Sequence, residues 1–441
     1  MLVIGCIVGV GIFRTASPIA AQVPFPSAIL ALWVLGGVVS LCGALCYAEL
    51  AAMFPSTGGD YVYISRVYGR FWGFLFGWTK LFIERTGTVA VLAMVFSEYV
   101  RRVIRYDEPS LRWVAAAAVV LLTAINAAGL RWGKYVQNLF TTLKIGALIS
   151  LVAAGASAAL SPGAIAVDWT LPPLDLHMAQ SLGIAFIFVL WTYGGWTEAA
   201  YVAEEVRQPV RNVPRAIVGG LLVAIVLYAL VNWSYLACIP MRALPATPLV
   251  ASDAMQRVLG SIGAAFIAWM VACSAFGALN GYILTGGRIL YAIGSDHALF
   301  ARLGALHPTR RTPVRALWAN AAIAIALIFT KTFDQIMTYS TVAISIFLAM
   351  AVFGVVRLRR SLPDHPRPYR AWGYPLTPLL FCVTIGAFIL DVLVKKPSDA
   401  AFGFILLALG MPLYWLSQRN RPDPIGPPAA REQPAEVAQA R

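Results

Sequence analysis

Residues 186–206 read FIFVLWTYGGWTEAAYVAEEV. The stretch opens as a lipid-grade apolar helix and meets Gly194-Gly195. The carboxylate of Glu198 follows one turn later, and the run ends at Glu204-Glu205. Two adjacent glycines weaken a helix by about 1 kcal/mol each relative to alanine. At mid-membrane depth such an interruption survives only where the backbone is buried in protein or lines a wet cavity. Two readings follow from these residues alone. In one, half-helix ends present bare N–H and C=O groups to a polar solute. In the other, the glycine pair only lets neighbouring helices pack closely.

The rest of the chain sets the context. It is 59% hydrophobic and 12% charged, against roughly a quarter charged in soluble domains, so it is an integral membrane protein. The net charge of +14 falls mostly in short loops between apolar runs, the pattern that orients a membrane protein; no nucleic-acid partner is expected. The six cysteines lie in or beside apolar runs without metal-ligand spacing, and read as small hydrophobes. No metal or cofactor is expected.

A span needs about 20 apolar residues. That rule places twelve spans near 1–21, 28–54, 71–100, 113–130, 135–160, 181–204, 215–239, 261–295, 314–331, 335–357, 374–394 and 400–417. Residues 418–441, rich in Pro, Arg, Gln and Ala, read as a disordered tail. The inner half of span 1 has only about eight residues, short of half a span plus an anchor, so a start upstream of Met1 is expected.

Span 1 contains GCIVGVGIF (5–13), with Gly5, Gly9 and Gly11, and breaks around Gly9-Val10-Gly11. Spans 1 and 6 are thus both glycine-broken and lie five apart. That spacing predicts an all-α membrane protein with a 5+5 inverted-repeat fold and a site at the repeat interface near the midplane. The expected units are a first repeat over 1–160, a second over 181–357, accessory helices over 374–417 and the tail over 418–441. Loops 2–3, 4–5, 6–7, 8–9 and 10–11 carry the Lys/Arg excess, which makes them and both termini cytoplasmic. Loop 3–4 runs against the bias, with Arg101, Arg102, Arg105 and Arg112.

Each ionisable group inside a span needs a reason, since it costs several kcal/mol unless paired or hydrated. Lys144 lies several residues into span 5. Either it snorkels to the interface, or its ammonium bonds carbonyls freed where span 1 unwinds, near Gly5 or Val8, standing in for a sodium ion. Glu198 either faces the cavity or pairs with a neighbouring helix. Lys80 and Glu84 stand at i, i+4 beside Arg85 and read as a structural ion pair. Arg14 reads as vestibular or as an ordinary interfacial arginine. Trp191 and Tyr193 flank the break as aromatic candidates to close over a substrate, and Asn280 reads as an interhelical hydrogen-bonding group.

Five segments in order resemble the amino acid–polyamine–organocation superfamily, in particular its L-type amino acid transporter branch and prokaryotic relatives. They are GCIVGVGIF, CYAELAAMFPSTGGDYVYI, QNLFTTLKIGAL, YGGWTEAAYVAEEVRQPVRNVPRAI, and SAFGALNGYILTGGRILYA with its continuation to RTPVRAL. The resemblance implies sodium-independent amino acid transport by alternating access. It assigns the α-carboxylate to backbone at Val8, Gly9, Val10 and Gly11, with Ile7 beside them. It assigns the α-amino group to Trp191, Thr192 and Gly194, with Trp191 as gate, and places Lys144 at the sodium position. Val10 stands where the family often has a small hydroxyl or Ala, and Thr197-Glu198 replaces a typical Asn-Tyr pair. The first removes a side-chain donor to the carboxylate and makes the pocket floor bulkier; the second leaves room for a small or cationic substrate. Loop 101–112 has no cysteine, so no disulfide-linked heavy subunit is expected.

The leading expectation is therefore an amino acid exchanger or proton-coupled importer in the plasma or inner membrane. The alternatives are a sensor built on the same fold or a polyamine transporter. A channel lacks its polar stripe. An enzyme lacks its constellation, because His177, His297, His307 and His365 all fall in loops or at span ends.

Overall fold

The structure is a computed structural model. It describes residues 7–54, 59–129, 133–173, 175–198, 208–296, 300–303, 305–307 and 312–418, with side chains omitted for 133–139, 288–296, 399 and 418. Gly5, Glu204-Glu205, the start of the chain and the tail from 419 lie outside the described residues.

The described residues are helical and form the predicted spans. Span 2 is Pro26–Met53, span 3 runs from Arg70 to Val103, span 4 is Ser110–Ala127 and span 5 is Gly133–Leu160. The first half of span 6 is Leu176–Thr192 and span 7 is Pro209–Cys238. Span 8 belongs to Val250–Asp296, and spans 9 to 12 are Val314–Thr330, Phe333–Ser361, Leu376–Lys395 and Pro397–Gln418. Eight of these helices are long and apolar enough to cross a membrane uninterrupted, and spans 6 and 9 are shorter apolar helices. Spans 1 and 3 complete the twelve as interrupted helices.

Local chemistry explains where the helices begin. Pro26 and Pro209 sit in the first turns of spans 2 and 7, where the missing N–H has no partner to lose. The Asp175 carboxylate accepts from the Met178 N–H at 2.6 Å and starts span 6. Thr332 and Gln335 form a reciprocal capping box at the start of span 10. Gly260 adopts φ 64°, which separates a short preceding helix from span 8 at the expected boundary. Another short helix, Asp60–Tyr68, lies between Gly59 (φ 46°) and Gly69 (φ 94°).

The loops sort onto two sides. On one, Phe54 of loop 2–3 meets His365 of loop 10–11, and Thr312 before span 9 donates to the Ala127 carbonyl at the end of span 4. On the other, Ser17 of span 1 donates to Pro245 in loop 7–8 and Ser27 donates to Thr170 in loop 5–6. The first is the arginine-rich side. The four arginines that ran against the charge bias lie on the second, where two of them are engaged: Arg102 with Asp253 and Gln256, and Arg112 with the Phe329 carbonyl.

Spans 5 and 7 approach to backbone distance at Gly155, where a Cβ would lie 2.5 Å from the Cα of Ser234. At Gly219 in span 7 a Cβ would meet nothing within 4 Å. Gly155→Ala is therefore expected to destabilise the fold by about 1–3 kcal/mol through overpacking, and Gly219→Ala to leave it unchanged or slightly better. Melting temperatures of the two variants in one detergent check this.

Candidate functional site

Helical hydrogen bonding in span 1 stops at Ile7 and resumes at Gly11. Between them the Gly9 N–H closes a tight turn on the Ile7 carbonyl at 2.8 Å. The outer half continues through Gly11–Arg14 and Ala16–Gln22, with Thr15 between, and Val10 caps it without a side-chain hydrogen bond. The first N–H groups of that half lack the acceptors a continuous helix would supply.

Span 6 breaks in the same layer. Its first half ends at Thr192, residues 193–197 form turns with Gly195 at φ 92°, and helix resumes at Glu198. The two breaks touch: a Cβ on Gly11 would lie 2.6 Å from Thr192 Oγ1 and 2.9 Å from the Trp191 ring. The hydroxyls of Thr15 and Thr192 are 3.3 Å apart. One side chain of span 7 joins them, because the buried Tyr228 hydroxyl donates to the Ile7 carbonyl at 2.7 Å and also lies 3.3 Å from the Thr192 carbonyl. Gly9 and Gly194 stay partly accessible. A Cβ on Gly9 would meet only backbone, at 3.9 Å and beyond, whereas one on Gly194 would lie 2.9 Å from the Trp191 carbonyl oxygen.

Charges flank this layer on both sides. Towards the arginine-poor side, Arg14 pairs with Glu98 of span 3 at 3.1 Å and lies over the Phe333 ring of span 10. Phe333 in turn packs edge-on against Trp191. Towards the arginine-rich side, Arg85 holds the Glu198 carboxylate at 2.9 and 3.2 Å. Lys80 lies 3.6 Å from Glu198 and 3.3 Å from Glu84. Arg85 also donates to Thr285 of span 8 at 3.1 Å and faces the Tyr282 ring. Lys80–Arg85 form a π-turn in span 3, a local widening frequent at functional positions.

A site of two broken helices facing each other is the transporter arrangement, and comparison with known proteins agrees. Residues 1–414 match the family model for amino acid permeases. The chain belongs to the amino acid permease family. This permease is 30% identical over 429 residues to the "Serine/threonine exchanger SteT" of Bacillus subtilis, covering 95% of each chain. It is 29% identical to the "b(0,+)-type amino acid transporter 1" of Mus musculus, covering 94% of this chain and 85% of the relative. It is 30% identical to the "Large neutral amino acids transporter small subunit 2" of Rattus norvegicus, covering 94% and 78%.

The predicted site residues of the permease fall into three groups. Val8, Gly9, Val10, Gly11, Trp191, Thr192 and Gly194 come together at the breaks, with Ile7 supplying a carbonyl to Tyr228. Thr197 is buried within the span 6 turn, and Glu198 faces Arg85 and Lys80. Lys144 is 2% exposed, which excludes snorkelling, and it is not without a partner. Gly5 lies outside the described residues. Tyr193 is not a lid: it is buried, donates to the Trp33 carbonyl at 2.9 Å and packs against Trp33 and Tyr228. Its ring faces span 2, leaving Trp191 as the aromatic beside the opening. Asn280 bonds Asn126 across spans 4 and 8 at 2.7 Å.

Sequence reading missed the tyrosines that hold span 1. Besides Tyr228, Tyr235 donates to Ile12 and Tyr99 to Phe13. The available signal was the seven-residue spacing of Tyr228 and Tyr235, which puts two hydroxyls on one face of an apolar helix. Removing the Tyr228 hydroxyl takes one of the two hydrogen bonds from the Ile7 carbonyl and unlinks span 7 from it, at about 0.5–1.5 kcal/mol. Tyr228→Phe is expected to keep the fold in detergent yet slow amino acid uptake by about tenfold or more. Uptake into proteoliposomes at the wild-type rate would show that the hydroxyl serves packing alone.

Proposed function

We propose that this permease moves an amino acid through the membrane without sodium, by alternating access, and that exchange is its working mode. The observation that carries the reading is the pair of breaks joined through Tyr228, with Gly9 and Gly194 partly accessible between them. A half-helix N-terminus favours an anion and a C-terminus a cation. The end at Gly11 then takes the α-carboxylate, with Val8, Gly9 and Val10 forming the turn around it. The end at Trp191, Thr192 and Gly194 takes the α-amino group, and Trp191 closes over the guest. Lys144 supplies from span 5 the fixed positive charge that a sodium ion would otherwise provide.

The repeats run over 1–160 and 181–357, with 374–417 accessory. Both termini and the arginine-rich loops are cytoplasmic, and the protein resides in the cell membrane without a disulfide-linked heavy subunit. Because Glu198 is neutralised by Arg85 and Lys80, an uncharged substrate side chain is favoured over a polyamine. That the Bacillus subtilis relative is named an exchanger supports exchange over proton symport.

Counterflow in proteoliposomes tests the reading. Unlabelled amino acid inside is expected to accelerate entry of the labelled one, equally in sodium and in choline buffer. Binding without counterflow would make the protein a sensor. Lys144→Ala is expected to reduce exchange to a few per cent while its melting temperature stays near that of the wild type. Exchange at the full rate would remove Lys144 from the mechanism.

A further inference from the structure

Span 10 ends on the arginine-rich side in a run of arginines that divides between two faces. Arg359 turns inward: its Nε and Nη2 donate to Glu49 at 3.0 and 2.6 Å, and its guanidinium covers the Tyr374 ring. Arg367 joins the same carboxylate at 3.6 Å and donates to the carbonyls of Leu358 and Leu362 at the end of the helix. Arg357 and Arg360 turn outward and are exposed. Among the described residues neither meets a carboxylate, and the Arg357 guanidinium lies over the Tyr68 ring, 5.4 Å from its centre.

These two arginines share a shallow, open depression on the surface of span 10 with Phe353, Val356 and Ser361. At 3.6 residues per turn the five positions form one stripe of the helix. Along it the chemistry changes from apolar to cationic. Phe353, 52% exposed, and Val356 belong to the hydrocarbon. Arg357 and Arg360 follow within a turn, and the Ser361 hydroxyl lies one turn beyond Arg357. Two exposed guanidinium groups that meet no carboxylate among the described residues match the bidentate geometry of a phosphate, and the apolar wall below suits the root of an acyl chain. We infer that this stripe binds the head of an anionic phospholipid, with the phosphate between Arg357 and Arg360 and a chain along Phe353. Charge complementarity and the apolar-to-cationic step select a lipid over a protein partner, which would have no use for an aromatic set at hydrocarbon depth.

The full-length protein in neutral detergent provides the test, by thermal unfolding and native mass spectrometry with dioleoyl phosphatidylglycerol or dioleoyl phosphatidylcholine added. Phosphatidylglycerol is expected to raise the melting temperature more and to remain bound. Arg357→Gln with Arg360→Gln should weaken its apparent affinity about thirty-fold. Arg211→Gln with Arg215→Gln removes the same charge from the exposed start of span 7 and should leave that affinity unchanged. Should the first double variant melt early in phosphatidylcholine, Arg360→Gln alone is read instead, with about a fivefold loss expected. The inference is overturned by a wild type that does not distinguish the two lipids or by equal losses in both double variants. It is overturned equally by inorganic phosphate reproducing the shift, which would mean a free-anion site.

Discussion

A peptide group that loses its helical partner in hydrocarbon has no water to turn to, and each one left bare costs several kcal/mol. Spans 1 and 6 incur that penalty in the same layer. The surrounding structure is arranged around meeting it with hydroxyls carried on intact helices. Tyr228 answers the Ile7 carbonyl, Tyr235 that of Ile12 and Tyr99 that of Phe13. The Thr15 hydroxyl adds a second bond to the Gly11 carbonyl, which the Thr15 N–H already meets, and Thr192 bonds back onto Phe188 within its own half-helix. These groups define a frame, and what they do not cover defines the opening: the uncapped start of the outer half of span 1, and the accessible glycines 9 and 194. Filling the two breaks with side chains would satisfy packing but leave nothing for a guest to bind.

Span 3 carries the charges on both sides of that layer. Glu98 reaches Arg14 of span 1, while Lys80 and Arg85, thirteen and more residues earlier, reach Glu198 of span 6. At 1.5 Å per residue the two groupings stand about 20 Å apart, with the breaks between them. The cluster of Lys80, Glu84, Arg85 and Glu198 is formally neutral, which is how four ionisable groups are tolerated so deep. The π-turn helps by widening span 3 where these side chains project. Ion pairs of this kind are weak sources of stability, since desolvation offsets most of the attraction. Their effect is to fix which part of span 6 faces span 3.

The reach of the sequence follows from how local each signal is. The spans were legible because length and hydropathy are properties of one segment, and the two breaks because glycine weakens its own helix. Lys80–Glu84 was legible as an i, i+4 pair. Partners across spans were not: nothing in the sequence places Glu198 against Arg85, 113 positions away, or sets Tyr228 over Ile7. Tyr193 shows the limit most plainly. It adjoins the break as closely as Trp191 does, yet two steps along the chain turn it about 200° at helical pitch, away from Trp191 and toward Trp33. The short helix at Asp60–Tyr68 was missed because its nine residues are too few to show a span. The glycines at 59 and 69 were its only local punctuation.

The two charged groupings differ in what separating them would entail. Arg14 and Glu98 retain 17% and 25% side-chain exposure, so water already solvates part of the pair and can take over when it parts. On the other side Arg85, Lys80 and Glu198 are 1%, 3% and 8% exposed. Pulling span 6 from span 3 while dry would strand two cations beside the single carboxylate of Glu84, a penalty of about 3–5 kcal/mol for a broken buried pair. Water must therefore reach the cluster before span 6 leaves it, or the cluster stays intact and the arginine-rich side opens where no ion pair spans the gap. On the arginine-poor side the ties are of a different kind: the partly hydrated pairs Arg14–Glu98 and Arg102–Asp253, the Ser17–Pro245 bond and the edge-on contact of Phe333 with Trp191, none of which strands a dry charge when it parts.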